Sequence, residues 1–287
     1  MTRTTHPTET PMLIDTTLRE GAQQYGVRFS AAARRELARG LIRLGVEELE
    51  LGWVGQEGLG ELLEHARALR DALADETGRR TALTVWTPCR EADVRAAAAL
   101  GADRVHMAVP VSREHIHTRL GLDEAALLEA LARGVLLAGM AGVGYLSVGL
   151  EDVSRGGEAF ALDAANLAVG LGAARIRLAD TVGVMTPLAT AGLVRRFAER
   201  VDADIAVHCH DDFGMATANA LTALDSGAHY ADASLLGLGE RAGIAATEEL
   251  AAHLGILRGA PYRLAGLHAL CALAARHAGV PIPRHKA

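Results

Sequence analysis

His208 and His210 flank Cys209 at the end of the apolar run Asp204–Cys209. In an extended chain residues two apart leave the same face, so both imidazoles point one way while Val207 and Cys209 point the other. Two imidazoles are half of a metal site. A carboxylate from another segment, Glu20 by preference, completes a two-histidine, one-carboxylate set with positions left for substrate and water, the build of a catalytic rather than a structural centre. Arg19 precedes that carboxylate in Asp15-Thr-Thr-Leu-Arg-Glu-Gly-Ala-Gln23, where a guanidinium stabilises charge developing on an enolate or carboxylate oxygen. Plainer readings exist for each residue alone: a half-exposed histidine pair, a surface Arg-Glu ion pair, helix-capping acids at Glu151 and Asp152, a turn-capping hydroxyl at Thr181. Asp211 and Asp212 directly after the histidines favour the chemical reading. His65, His253 and His268 fall in helical stretches as surface or packing residues, whereas His115 and His117 stay open as substrate contacts.

These residues need elements to hold them. Eight short apolar runs recur: Met12–Thr17, Val46–Leu51, Ala82–Trp86, Arg104–Val109, Val143–Gly149, Arg175–Ala179, Asp204–Cys209 and Tyr230–Leu236. Between them lie helical periodicities over Ser30–Leu44, Leu59–Ala74, Glu91–Leu100, Asp123–Ala138, Gly157–Leu171, Pro187–Val201, Met215–Ser226 and Ala245–Leu257, several ending in a glycine (Gly45, Gly101, Gly142, Gly172, Gly227). Eight strand-helix units in a chain of 287 residues predict an α/β protein of the (β/α)8 TIM barrel type. A doubly wound sheet is disfavoured by the absence of Gly-x-Gly-x-x-Gly after the first strand. The expected layout is a disordered lead-in over 1–11, a catalytic barrel over 12–258 and a short helical extension over 259–287, with a helix around Leu267–Ala278. In such a barrel chemistry collects just past the strands. There the sequence places Arg19 and Glu20, His106, Glu151, Thr181, His208 and His210, and Gly237-Leu-Gly239-Glu240-Arg241.

Composition narrows the function. Of 29 basic residues against 35 acidic, net −6, the single lysine is Lys286. Schiff-base aldolases and pyridoxal enzymes need a buried lysine amine and are disfavoured, and a P-loop lysine is absent. A negative chain offers no electrostatic case for nucleic acid or an anionic membrane. Half the residues are apolar and 3% aromatic, so the core must be built of Ala, Leu, Val and Ile. Cys89, Cys209 and Cys271 form no disulfide or zinc pattern, and no stretch reads as a signal peptide or membrane span; a reducing cytoplasm is the expected setting.

Taken jointly, Asp15–Gln23, Val207-His-Cys-His-Asp-Asp-Phe-Gly-Met-Ala-Thr-Ala-Asn219 and Gly237-Leu-Gly-Glu-Arg-Ala-Gly243 resemble the signatures of the metal-dependent acyltransferase and lyase barrels. That group holds 2-isopropylmalate, homocitrate and citramalate synthases and hydroxymethylglutaryl-CoA lyase. The likeness is greatest to the homocitrate synthase branch, through Leu178-Ala-Asp-Thr-Val-Gly-Val184, Val105-His-Met-Ala-Val-Pro-Val-Ser112 and Glu151-Asp-Val-Ser-Arg155, and it spans about Met12 to Arg258. The resemblance implies Glu20, His208 and His210 as ligands of a divalent metal ion (Mg, Mn, Zn or similar) and Arg19 as a catalytic arginine. It implies Gln23, His106, Glu151 and Thr181 as contacts of a 2-oxo acid, and the loop bearing Gly237, Gly239, Glu240 and Arg241 as neighbour of the thioester of acetyl-CoA. The reaction implied is polarisation of the 2-oxo acid's ketone by the metal, removal of a methyl proton from acetyl-CoA, with Glu151 or a nearby histidine as base, attack of the enolate, and hydrolysis to CoA and a 2-hydroxy dicarboxylate. A homodimer is implied as well.

Three features depart from that pattern. Ile244 stands where the family commonly has asparagine. Only Arg258 to Ala287 follow the barrel, so no attached regulatory domain is expected and fewer elements are available to hold CoA. The lyase branch's cysteine is missing from Gly237–Gly243. Length alone matches the lyase branch better, so retro-Claisen or aldol cleavage is the alternative activity, and a ligand-binding barrel without turnover the remaining one. Trp53, Trp86, His106 and Arg119 are the candidates for reading the 2-oxo acid's side chain.

Overall fold

The β-branched runs become strands because each is buried on both sides, and the glycine-ended periodicities become the helices that bury them. In the computed structural model, which describes residues 11–282, β1 (Met12–Asp15), β2 (Glu48–Trp53), β3 (Ala82–Pro88), β4 (Arg104–Pro110), β5 (Leu146–Glu151), β6 (Arg175–Asp180), β7 (Asp204–Cys209) and β8 (Tyr230–Ala233) pair in parallel in chain order. β1 pairs with β8, closing the barrel. Around it lie α1 (Ala31–Leu44), α2 (Leu59–Thr77), α3 (Glu91–Leu100), the single turn α4 (Arg113–His115), α5 (Glu124–Met140), α6 (Glu158–Gly170), α7 (Pro187–Arg200), α8 (Ala216–Leu224), α9 (Thr247–Arg258) and α10 (Leu267–Ala278). The architecture is the (β/α)8 TIM barrel expected. Met1 to Thr10, most of the proposed lead-in, and Lys286 lie outside the described residues. No helix among the described residues is long and apolar enough to cross a membrane.

Element boundaries follow local chemistry. Ser30, Asp123 and Thr186 cap α1, α5 and α7 by accepting from the amides of Ala33, Ala126 and Ala189. The fifth strand starts at Leu146 rather than Val143, because the Val143 amide donates back to Ala138 O and closes α5. The eighth ends at Ala233 rather than Leu236, since Leu235–Gly237 turns into one helical turn with Leu236 at φ 61°.

Outside the strands the core is aliphatic: Leu13, Leu49, Leu51, Leu83, Val85, Met107, Val148, Ile176 and Val207 pack against the helices. Inside, a small apolar cluster of Ile14, Ala206 and Tyr230 sits beside a charged filling. Glu48 and Glu50 on β2 reach across to Arg175 and Arg177 on β6. Arg175 donates to both Glu48 oxygens at 2.7 and 2.8 Å, and Arg177 donates to Glu50 Oε1 at 3.1 and 3.2 Å. β2 and β6 are not neighbours in the sheet, so these pairs span the lumen. Removing one member of such a buried pair costs about 3–5 kcal/mol, while the intact pair adds little net stability. Its consequence here is positional: the barrel floor is a fixed lattice of charges.

Candidate active site

Past the strand ends lies a cavity of about 290 Å³ lined by Arg19, Glu20 and Gln23 after β1, Trp86 of β3, and His106 and Ala108 of β4. Gly149 and Glu151 of β5, Arg177, Ala179 and Thr181 of β6, His208 and His210 of β7, Glu240 after β8, and Arg119 complete it. A larger cleft of about 610 Å³ runs between α1 and α10, but its lining is mainly Leu, Ala, Gly and Arg, and no set of catalytic groups converges there.

Glu20, His208 and His210 are all buried, and their ligand atoms lie within 4.8 Å of one another. His208 Nδ1 lies 2.8 Å from Asp232 Oδ2 on the adjoining strand, which places its proton on Nδ1 and leaves Nε2 as a lone pair. That Nε2 faces His210 Nε2 at 3.3 Å and Glu20 Oε2 at 3.9 Å. Two imidazole nitrogens and a carboxylate oxygen aimed at one point are a donor set that suits a divalent metal, with both nitrogen and oxygen ligands. Burial pushes His210 down to about 3, aided by His208, so its imidazole is neutral and able to ligate. Burial would raise the Glu20 carboxyl, but Arg19, His208, His210 and the Glu240 amide outweigh it and hold the group down at about 2.

Arg19 is fixed by four neighbours. It donates to Glu50 Oε2 at 2.6 Å, pairs with Glu20, reaches Gln23 Oε1 at 3.4 Å and lies 5.9 Å from the Trp86 ring centroid. Glu20's other oxygen accepts the Glu240 amide at 3.0 Å, so the loop after β8 presses on the would-be ligand. Gly243 makes that loop possible: its φ is 89°, and a Cβ there would fall 1.8 Å from Gly237 O. On the far wall Arg119 donates to Glu151 at 2.7 Å. Thr181 Oγ1 accepts the Asp152 amide at 2.8 Å, which leaves its own proton to donate toward the cavity.

Not every expected residue joins this group. Trp53 does not line the cavity, although the β2–β3 register breaks after Glu50 and pairs it with the cavity-lining Trp86. His115 turns to Asp152 and Arg155 instead, and His117 stays on the exposed side of the π-helical turn Ile116–Leu120. Arg241 is engaged outside the cavity lining, by Asp212 at 2.8 and 2.9 Å and Thr181 O at 2.6 Å. Gly237 and Gly239 shape the loop without lining the cavity. Ile244 is buried beside His210, bridged to it through the backbone, and gives it no polar partner. His210 Nδ1 is accordingly buried with no hydrogen-bond partner among the described residues. Sequence reasoning overlooked Asp232, Glu50 and Arg177. Their signal was a charged residue at alternate positions of an apolar strand, as in Glu48-Leu-Glu50-Leu, Arg175-Ile-Arg177-Leu and Tyr230-Ala-Asp232-Ala.

Comparison with known proteins supplies context for this arrangement. The HMGL-like family model matches residues 10–275. A homocitrate synthase of Frankia alni is 38% identical over 95% of this chain and 76% of its own length. A 2-isopropylmalate synthase of Caldanaerobacter subterraneus is 35% identical over 83% of this chain and 60% of its own. For a homocitrate synthase of Nostoc the match likewise spans only 61% of the relative. In three dimensions the chain superposes on a hydroxymethylglutaryl-CoA lyase from Pseudomonas aeruginosa with a TM-score of 0.79 at 20% identity, covering 96% and 95% of the two chains, a likeness of fold.

Proposed function

The chain belongs to the HMGL-like family, and on that premise we propose that it is an acyltransferase condensing acetyl-CoA with a 2-oxo acid to give a 2-hydroxy acid of the alkylmalate or homocitrate type and CoA. The observation that carries this reading is the convergence of Glu20, His208 and His210 on one point beside Arg19, in a cavity closed by the barrel's strand ends. A divalent metal held there supplies Lewis acidity toward the ketone of the 2-oxo acid. Arg19 carries a permanent charge where negative charge develops on oxygen, and its bonds to Glu20 and Glu50 hold it there before substrate arrives. Glu151, at the opposite wall, is the proposed base for the methyl proton of acetyl-CoA. Gln23 and Thr181 offer polar groups to the acid's carboxylate. Gly237, Gly239, Glu240 and Arg241 form the loop that brings the thioester to Glu20's side. The same reading includes a cytoplasmic homodimer, and three free thiols agree with a reducing setting.

Purified protein with Mg²⁺, Mn²⁺ or Zn²⁺ is expected to release free thiol from acetyl-CoA only when a suitable 2-oxo acid is present, and chelation is expected to stop the release. Cleavage of a hydroxyacyl-CoA, with no thiol release across a broad panel of 2-oxo acids, would instead establish the lyase activity. Unchanged metal content in both His208→Ala and His210→Ala would refute the ligand assignment.

A further inference from the structure

His106 stands on β4, across the barrel from the β1, β7 and β8 ends that bear Glu20, His208 and Asp232. Its Nδ1 lies 2.9 Å from Ser147 Oγ. The same Oγ accepts from Arg175 Nε at 3.0 Å, and Arg175 is held in turn by both oxygens of Glu48. A serine hydroxyl has one proton and two lone pairs, and a guanidinium only donates. One lone pair is therefore taken. Ser147 is fully buried, and among the described residues its hydroxyl has no other acceptor, so its proton is satisfied only if His106 Nδ1 accepts it. The imidazole proton must then sit on Nε2. That edge of the ring lies over Gly149, where a Cβ would come within 2.6 Å of Nε2, and both residues line the cavity. Burial, followed by the charges of Arg177, Arg175 and Arg19, keeps this imidazole well below its ordinary pKa, hence neutral.

We propose that Ser147 and Arg175 act as positioning residues that fix His106 in its neutral Nε2–H form, and that this N–H selects a 2-oxo acid whose far end carries an acceptor, a carboxylate or a phosphonate, over one ending in an alkyl group. The substrate half of the proposal rests on the condensation reading above. A 2-oxo acid held at Glu20, His208 and His210 points its remaining atoms at the β4–β5 wall, where an alkyl end leaves a buried N–H unpaired and an acceptor satisfies it. Arg119, half-exposed and paired only with Glu151 in the described bonds, adds positive charge to the same cavity.

Two measurements test it. Long-range ¹⁵N–¹H NMR of histidine-labelled protein, with the His106 signals assigned by their loss in His106→Gln, is expected to show the Nε2–H pattern unchanged from pH 6 to 8. Ser147→Ala should mix the tautomers and Ser147→Thr should restore one. An Nδ1–H pattern in the wild type, or no change in Ser147→Ala, would overturn the positioning role. Calorimetric titration of Mg²⁺-loaded protein with 2-oxoglutarate, phosphonopyruvate and 2-oxoisovalerate is expected to show at least one of the first two binding roughly 10-fold or more tighter than the third. The stronger of the two identifies carboxylate or phosphonate, His106→Leu should erase the preference and His106→Gln should keep part of it. Equal or inverted affinities would overturn the substrate class. If none of the three binds while the Nε2–H pattern is present, the condensation reading falls and the positioning role stands.

Discussion

His208 turns Nδ1 to Asp232, 2.8 Å away on the next strand, and Nε2 to Glu20 and His210. Asp232 is itself held by Arg177 at 3.0 Å, so the imidazole is aimed by a chain that ends in the barrel floor. Outer partners of this kind typically contribute 10–100-fold to metal affinity. Asp232→Asn is expected to weaken binding of Zn²⁺ or Mn²⁺ by about that factor while leaving the fold intact, as read by metal titration and circular dichroism. Undiminished affinity would show that Asp232 does not orient the ligand.

Gly243→Ala tests the loop after β8. The added Cβ would meet Gly237 O in a left-handed backbone, so the loop must move, and with it the Glu240 amide that Glu20 accepts. A loss of about 1–3 kcal/mol in urea unfolding is expected, together with weaker metal binding. A stability loss with metal affinity unchanged would separate the loop from the site.

Asp15 makes a prediction with pH. Burial pushes its carboxyl up to about 6, against the bonds from Thr247 and Thr17 that favour ionisation. The folded value exceeds the unfolded one, so the folded chain holds the proton longer. Asp15 thus contributes stability that is fully present below about pH 4 and lost as pH rises through 6. Asp15→Asn does not titrate. Relative to wild type it should gain about 3 kcal/mol between pH 4 and pH 8 in urea unfolding. A difference constant with pH would mean that Asp15 does not ionise in this window.

Glu151 and Arg119 form a half-exposed pair, worth at most about 1 kcal/mol to the fold. Arg119→Gln should therefore leave the thermal midpoint nearly unchanged. Glu151→Gln should lower kcat for thiol release by about 10²–10⁴ if the carboxylate removes the methyl proton. A change confined to KM would make Glu151 a binding residue and move the base elsewhere.

Much of this was legible in the residues themselves. Alternation at His208 and His210 placed both imidazoles on one face, and glycines at the ends of helical runs marked where strands begin. Which side chains meet across the closed barrel is what linear reading could not supply. Glu48 and Arg175 lie 127 residues apart and meet only because β2 and β6 face each other across the lumen. The alternating charges of both strands were visible, but nothing local says that one set answers the other. Trp53 shows the converse: a residue with an attractive position just after a strand stays out of the cavity, and nothing in its spacing announced it. Ser147 gave no signal at all, since a serine in a buried strand acquires meaning only from the guanidinium and imidazole that share its oxygen.

The bonded group at the cavity floor also carries an electrostatic order of events. Arg19 and Arg177 bring two positive charges against the three negative ones of Glu20, Glu50 and Asp232, with the imidazoles of His208 and His210 between them. Before any ligand arrives these five side chains are net negative by one formal charge, which attracts a cation and repels an organic acid. Once a dication enters, the sign inverts, and an anion becomes the favoured guest. Metal first and acid second is then a sequence written into the protein's own charge count, and acid affinity measured with and without metal should display it.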